Sequence, residues 1–236
     1  MLTNVAWHAL TTEHARLSVS SPLARRYPAD VVPISALKEH CAEALAELRG
    51  LLQPGEDVYV AWTQPGDLHF PECSGIEVIR SINAWQMSYP EEKLASDESS
   101  PGLPPIEKLN TEDGPEMVAL TDVAFPGFFR AHTYRMGSYW GIRSNGQLIA
   151  MAGERLAVPG LREVSAVCTH PEHTGLGYAA RLIRHVLAVH ATAGLRSFLH
   201  VSDFNHRAIA LYERLGFERV GATQFTQIRR TELPAE

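Results

Sequence analysis

The chain has 236 residues, enough for one large domain or two small ones. Its 45% hydrophobic and 20% charged residues are those of an ordinary globule, and no apolar run approaches the roughly 20 residues that span a bilayer. The formal net charge is −6 and is unevenly spread: residues 1–103 carry 7 Lys/Arg against 14 Asp/Glu, and residues 104–236 carry 14 against 13. An acidic first half argues against nucleic acid as the main partner, because phosphate contacts need a basic face. Cys41, Cys73 and Cys168 are too few and too scattered for a disulfide framework or a four-ligand zinc site. The first residues lack the basic-then-apolar layout of a secretory signal. The expectation is a cytoplasmic protein with no metal and no membrane partner.

In chain order, residues 36–49 predict an amphipathic helix, with Leu37, Cys41, Leu45 and Leu48 on one face and Gly50 as the stop. Residues 58–62 and 76–82 read as strands. Residues 90–105 are rich in charge, Ser, Pro and Gly and predict a linker. The expected division is therefore an α/β half over 1–89, the linker, and a second unit over 106–230. In that unit residues 106–109 read as a strand and a helix begins near Pro115. Phe125-Pro126-Gly127-Phe128-Phe129 interrupts it and leads to a short second helix. Residues 139–143 and 147–156 predict a hairpin around Ser144-Asn145-Gly146. Pro159-Gly160 turns the chain into a strand over 163–169. A long helix over 175–192 carries Ala179, Leu182, Ile183, Val186 and Leu187 on one face, and Gly194 ends it. A strand over 197–201, a helix over 205–215 closed by Gly216, and strands over 217–220 and 225–229 complete the chain. Strand, crossing helix and strand in this order predict a parallel pair at the centre of a mixed sheet.

The most informative stretch is Glu163 to Ala179: an apolar strand, a short polar turn, then a glycine-rich run into the long helix. Such a helix start leaves several backbone N–H groups unpaired at the positive end of the helix dipole, a ready anion site suited to a phosphate or pyrophosphate. Gly175 and Gly177 let the backbone approach a ligand where a Cβ would block it.

Two runs carry a family resemblance. Thr174-Gly175-Leu176-Gly177-Tyr178-Ala179 resembles a pattern of Arg or Gln, two free positions, Gly, one free position, then Gly or Ala. Asn205 to Phe217 follows it in order. Residues 104–230 thus resemble the GCN5-related N-acetyltransferase superfamily. Met151 to Arg155 and Val164 to Pro171 resemble, more narrowly, the subgroup similar to glycine N-acyltransferase. The resemblance implies an acyl-CoA acyltransferase fold, α/β with a mixed sheet, preceded by a smaller N-terminal half that resembles a partial copy. It implies acetyl transfer from acetyl-CoA to a primary amine, by direct attack in a ternary complex. The amine belongs to a small molecule or a peptide, and the oligomeric state is left open.

Carried over by residue, the backbone of Gly175, Leu176, Gly177, Tyr178 and Ala179 would hold the pyrophosphate, beside Thr174. Thr174 departs from the family's Arg or Gln and supplies only a hydroxyl there. Val167, Cys168 and Thr169 would line the pantetheine arm, Val167 and Thr169 pairing with it by backbone like a partial extra strand. Asn205 would bond to that arm, and Tyr212 would protonate the leaving thiolate. A thiol near pKa ~8.5 and a tyrosine near ~10 make that transfer feasible. An attacking amine must be neutral, so a base is expected: Glu163 first, Glu154 second.

Other readings compete. Gly175 to Ala180 satisfies G-x-G-x-x-A, a dinucleotide signal, but residues 170–174 separate it from the strand and no acidic residue follows at the required distance. A degenerate domain that binds acyl-CoA as a sensor is the non-enzymatic alternative, kept open by Thr174. Tyr212 can also be core packing, Asn205 a helix cap, the two glutamates ion-pair partners, and Cys168 an inert small hydrophobe. Neither H-E-x-x-H nor G-x-S-x-G occurs.

Overall fold

The computed structural model describes residues 3–63, 70, 75–91 and 104–232. Most of the predicted linker, 92–103, lies outside the described residues, as does Cys73. The helices are α1 (Val5–Thr11), α2 (Ala42–Leu51), α3 (Gly114–Ala124), α4 (Tyr178–Thr192) and α5 (His206–Leu215). The strands before the break are β1 (Val19–Ser20), β2 (Ala24–Arg26), β3 (Ile34–Leu37), β4 (Asp57–Trp62) and β5 (Ile76–Ser88). After it come β6 (Ile106–Leu109), β7 (Tyr139–Ser144), β8 (Gln147–Val158), β9 (Leu161–Thr169), β10 (Arg196–Ser202) and β11 (Glu218–Arg230).

All of them join one mixed sheet in the order β1-β2-β3-β4-β11-β5-β10-β9-β8-β7-β6. The predicted parallel pair is β9 and β10, and it is brief: Leu161, Arg162 and Glu163 pair with Arg196, Ser197 and Phe198. Beyond Phe198, β10 continues against β5 on its other side, from Phe198↔Ser88 to Ser202↔Ala84. The two halves of the chain exchange strands, because β5 lies between β10 and β11, and β11 in turn pairs with β4.

Local chemistry explains most element ends. Asn145 and Gly146 both take positive φ (49° and 81°), the two-residue turn that suits the right-handed twist of a hairpin. Pro115 stands in the first turn of α3, where its missing N–H costs nothing. Gly216, at φ 102°, closes α5. The helix predicted over 36–49 starts later. Residues Ile34–Leu37 form a buried strand between β2 and β4, and the Cys41 side chain caps α2 by accepting from Ala44 N. Leu37 is therefore a core strand residue with helical spacing by coincidence. The two strands expected over 217–220 and 225–229 are one strand, β11, with a register shift between Arg219 and Gly221.

Alternate residues of β8 and β9 serve opposite faces. Met151 and Cys168 pack with Met117 and Leu120 of α3, whereas Ala152 and Val164 pack with Leu182 and Ile183 of α4. This grip on both faces fixes β9, from which the site is built. Among the described residues no helix is long and apolar enough to cross a membrane.

Candidate active site

Beyond Glu163, β9 keeps its partner β8 but loses β10, so its other edge is unpaired and a cleft opens. A bulge marks the place. Val167 and Ala166 together oppose the single residue Ala152, since Met151 pairs with Cys168 and Gly153 with Ser165. Ala166 takes φ 51°, a left-handed conformation that costs a residue with a Cβ about 1–2 kcal/mol. Strain of this kind persists where surrounding structure over-determines it, commonly at functional sites.

The cleft has a volume of 720 Å³. Its floor is Val167, Cys168 and Thr169; one wall is Thr174 to Ala179 and the other is Asn205 and Tyr212. Every residue that the sequence assigned to the cofactor therefore borders one cavity, and Tyr212 borders it too. Gly175 and Gly177 take φ 82° and 80°. The backbone N–H groups from Gly175 through Ala180 donate to no acceptor among the described residues; the first bond of α4 from outside the helix is Arg181 N to Gly177 O. No side chain caps α4 either. An uncapped helix start with its amides open to a cleft is what a diphosphate requires. Arg207 and Arg214 of α5 border the same cleft and add positive charge, while Thr174 turns its hydroxyl onto the Pro171 carbonyl at 3.0 Å.

Tyr212 is 9% exposed. Its ring meets Phe217 edge-on with centroids 5.8 Å apart, and its hydroxyl makes no hydrogen bond among the described residues. Burial pushes the Tyr212 phenol up to about 12, so it remains a proton donor at neutral pH. Asn205 is a helix cap, its Oδ1 accepting from Ala208 N at 3.1 Å, while it still borders the cleft. Burial likewise pushes the Cys168 thiol up to about 12, which keeps it un-ionised and inert.

The two glutamates expected as bases are committed elsewhere, and this corrects the sequence reading. Glu163 is fully buried and accepts from Arg155 Nε (2.9 Å) and Nη2 (2.6 Å), from Leu156 N (3.1 Å) and from His200 Nδ1 (2.7 Å). Burial alone would raise its pKa, but the Arg155 charge and these bonds overcome that and hold the carboxyl well below the usual carboxylate range. Glu154 accepts from Ser138 N (3.0 Å) and pairs with His190 Nε2 (3.2 Å). Burial raises its pKa and these partners more than reverse the effect. Neither residue borders the cleft, and a carboxylate whose charged form is stabilised by such partners is a weaker proton acceptor than a free one.

Sequence reasoning missed Ala166, Arg155 and His200. The Arg155–Glu163 pairing had a signal, because a tight turn at Pro159-Gly160 sets residues near 155 and 163 opposite each other. Nothing in the sequence marks an alanine for a left-handed conformation. Among the described residues no three His, Cys, Asp or Glu side chains come together as a metal site.

Comparison with known proteins decides the family. A crystallised acetyltransferase of the GNAT family from Novosphingobium aromaticivorans is 36% identical over 98% of each chain, with a TM-score of 0.85. The family model described as Acetyltransferase (GNAT) family matches residues 103–217. The chain belongs to the GNAT acetyltransferase family. Within this GNAT chain, the matched segment carries β6 to β10, α3 to α5 and all the residues that line the cleft. A curated relative, the N-alpha-acetyltransferase RimI of Mycobacterium tuberculosis, is 40% identical over 86 residues, 35% of this chain. The chain spans about half (53%) of that relative's length. A GCN5-related N-acetyltransferase from Kribbella flavida, 15% identical, shares the fold over 99% of this chain and 96% of its own, with a TM-score of 0.63.

Proposed function

We propose that this GNAT protein transfers an acetyl group from acetyl-CoA to a primary amine by direct attack in a ternary complex. The row of unpaired N–H groups from Gly175 to Ala180 carries the reading. It would bind the diphosphate, with Arg207 and Arg214 adding charge in place of the family's Arg or Gln at Thr174. The free edge of β9 would pair with the pantetheine arm. That pairing would bring the thioester to the Ala166 bulge, between α3 and α5.

The chemistry then needs few parts. The amine nitrogen attacks the thioester carbon, the C–N bond forms, the C–S bond breaks, and Tyr212 gives its proton to the departing sulfur; the extra proton on the acylated nitrogen leaves to water, and the Tyr212 phenolate takes a proton back from water. No covalent enzyme intermediate is required, and orientation of amine and thioester is worth up to roughly 7–11 kcal/mol. Among the described residues bordering the cleft, and those of the apolar cavity beside it, none is a carboxylate. The amine would lose its proton to solvent on the way in, or to His173, the one histidine among the described residues bordering the cleft. Desolvation favours the neutral amine.

The RimI relative supports an acceptor of the N-terminal α-amino type more than the glycine N-acyltransferase subgroup. Free thiols at Cys41 and Cys168 fit a reducing cytoplasm. The test is thiol release from acetyl-CoA across a panel of amines, with coenzyme binding measured by calorimetry. Turnover with some amines supports the transferase. Binding without turnover for any amine supports the sensor, and no binding at all removes both.

A further inference from the structure

A second cavity adjoins the coenzyme cleft and has chemistry that the transfer step leaves unexplained. It holds 230 Å³, and its walls include Val32, Phe125, Phe128, Phe129, Ala166 and Arg155. Phe125 borders both cavities, and Ala166 of the one is followed in the chain by Val167 of the other. The two spaces therefore meet at the β9 bulge.

Size and polarity narrow the occupant. About 150 Å³ of apolar cavity accommodates benzene, so this one suits a single large apolar side chain. Its polar groups are few. Tyr139 Oη already donates to Glu154 O at 2.8 Å, and Thr133 Oγ1 donates to Val31 O. Ser165 adds a hydroxyl with no hydrogen bond among the described residues, and Arg155 adds a charge. Its Nε and Nη2 are held by Glu163, its guanidinium lies 5.5 Å from the Phe128 ring centroid, and its Nη1 makes no hydrogen bond among the described residues. Arg155 borders the cavity, and its Nη1 is left free to donate to a ligand there. Because the Arg155–Glu163 pair is already neutral, a carbonyl or carboxylate oxygen is the complement that Nη1 lacks.

Resting on the acetyl-transfer reading, we propose that the acceptor is an α-amino acyl group with a large apolar side chain. The side chain fills the cavity, the carbonyl oxygen accepts from Arg155 Nη1, and the α-amine points at the bulge. Free amino acids, their amides and peptide N-termini share this chemistry. The N-terminal half then sets selectivity, because Val32 forms part of the cavity. It is held there by His132 N to Asp30 O (2.9 Å) and by the Thr133 hydroxyl on the Val31 carbonyl.

The experiment measures kcat/KM by thiol release for phenylalaninamide, glycinamide and phenethylamine. Phenylalaninamide exceeds glycinamide, which lacks the side chain, and phenethylamine, which lacks the oxygen, each by about 10- to 100-fold. Equal values for either pair overturn the proposal. Phenylalanine and a Phe-Gly dipeptide in the same assay tell a free amino acid from a peptide N-terminus, and a preference for either supports the shared chemistry. Val32→Phe narrows the cavity and shifts the phenylalaninamide to alaninamide ratio toward alaninamide; an unmoved ratio counts against it. Efficient turnover of other amines alone sinks this inference and spares the transferase, whereas absence of coenzyme binding removes the transferase itself.

Discussion

Arg155 and Glu163 meet as a two-point ion pair across the β8–β9 hairpin, with Nη2 2.6 Å and Nε 2.9 Å from the carboxylate oxygens. The pair stands at the last residue where β9 still touches β10, so it braces the point from which the cleft opens. His200 reaches the same carboxylate from β10 at 2.7 Å, joining both sides of the divide.

Glu163→Gln therefore acts on stability and cleft shape more than on proton transfer. It leaves the Arg155 charge buried without its counter-ion, a loss of about 3–5 kcal/mol. Urea denaturation checks the magnitude. The wild-type protein is expected to show the linked acid response: the folded carboxyl lies below its unfolded value, so its stabilisation is complete above about pH 5 and is lost as pH falls further. A variant whose stability no longer falls over that window, relative to wild type, confirms the sign.

Tyr212→Phe removes the proposed proton donor without changing ring packing against Phe217. Turnover falls by about 10²–10⁴-fold, with coenzyme affinity unchanged by calorimetry. In the wild type, kcat/KM rises with pH as the acceptor amine deprotonates. No descending limb appears up to pH ~10, since burial keeps the phenol protonated toward about 12. A fall near pH 8 would assign the acid to another group.

Gly177→Val tests the anion cradle. An added Cβ meets no neighbour within 4 Å, so the cost comes from φ 80°. A β-branched residue there loses about 1–2 kcal/mol locally and distorts the amide row. Coenzyme A affinity drops more than global stability does, which calorimetry and thermal melts separate.

Arg207→Glu with Arg214→Glu reverses the charge bordering the cleft. Both side chains are solvent-facing, so their attraction is screened by salt. The double variant raises KM for acetyl-CoA severalfold at low ionic strength, and the difference from wild type shrinks at 0.5 M salt. A salt-independent difference would point to misfolding.

Gly153→Ala probes packing under the site. A Cβ there would stand 2.3 Å from the Tyr139 ring, which is buried and bonded through its hydroxyl to Glu154 O. Overpacking of this kind costs about 1–3 kcal/mol, read as a lowered denaturation midpoint with unaltered slope.

Local code wrote much of this molecule. Apolar spacing in Leu182, Ile183, Val186 and Leu187 made α4, Asn145-Gly146 made the β7–β8 turn, and two glycines with an uncapped helix start marked the cleft. Each of these depends on neighbours within a few residues, so a linear reading reaches them. The fate of the charged groups was decided only in three dimensions. Glu163 reads as an available carboxylate until β8 and β10 bring Arg155 and His200 to it, 8 and 37 positions away. The same holds for Val32, which reaches the apolar cavity because the N-terminal half folds against the loop after α3. The strained Ala166 and the insertion of β5 between β10 and β11 likewise follow from strands competing for a place in one sheet. Long-range pairing of this kind sets which side chains are neutralised and which face a cleft, and no local pattern encodes it.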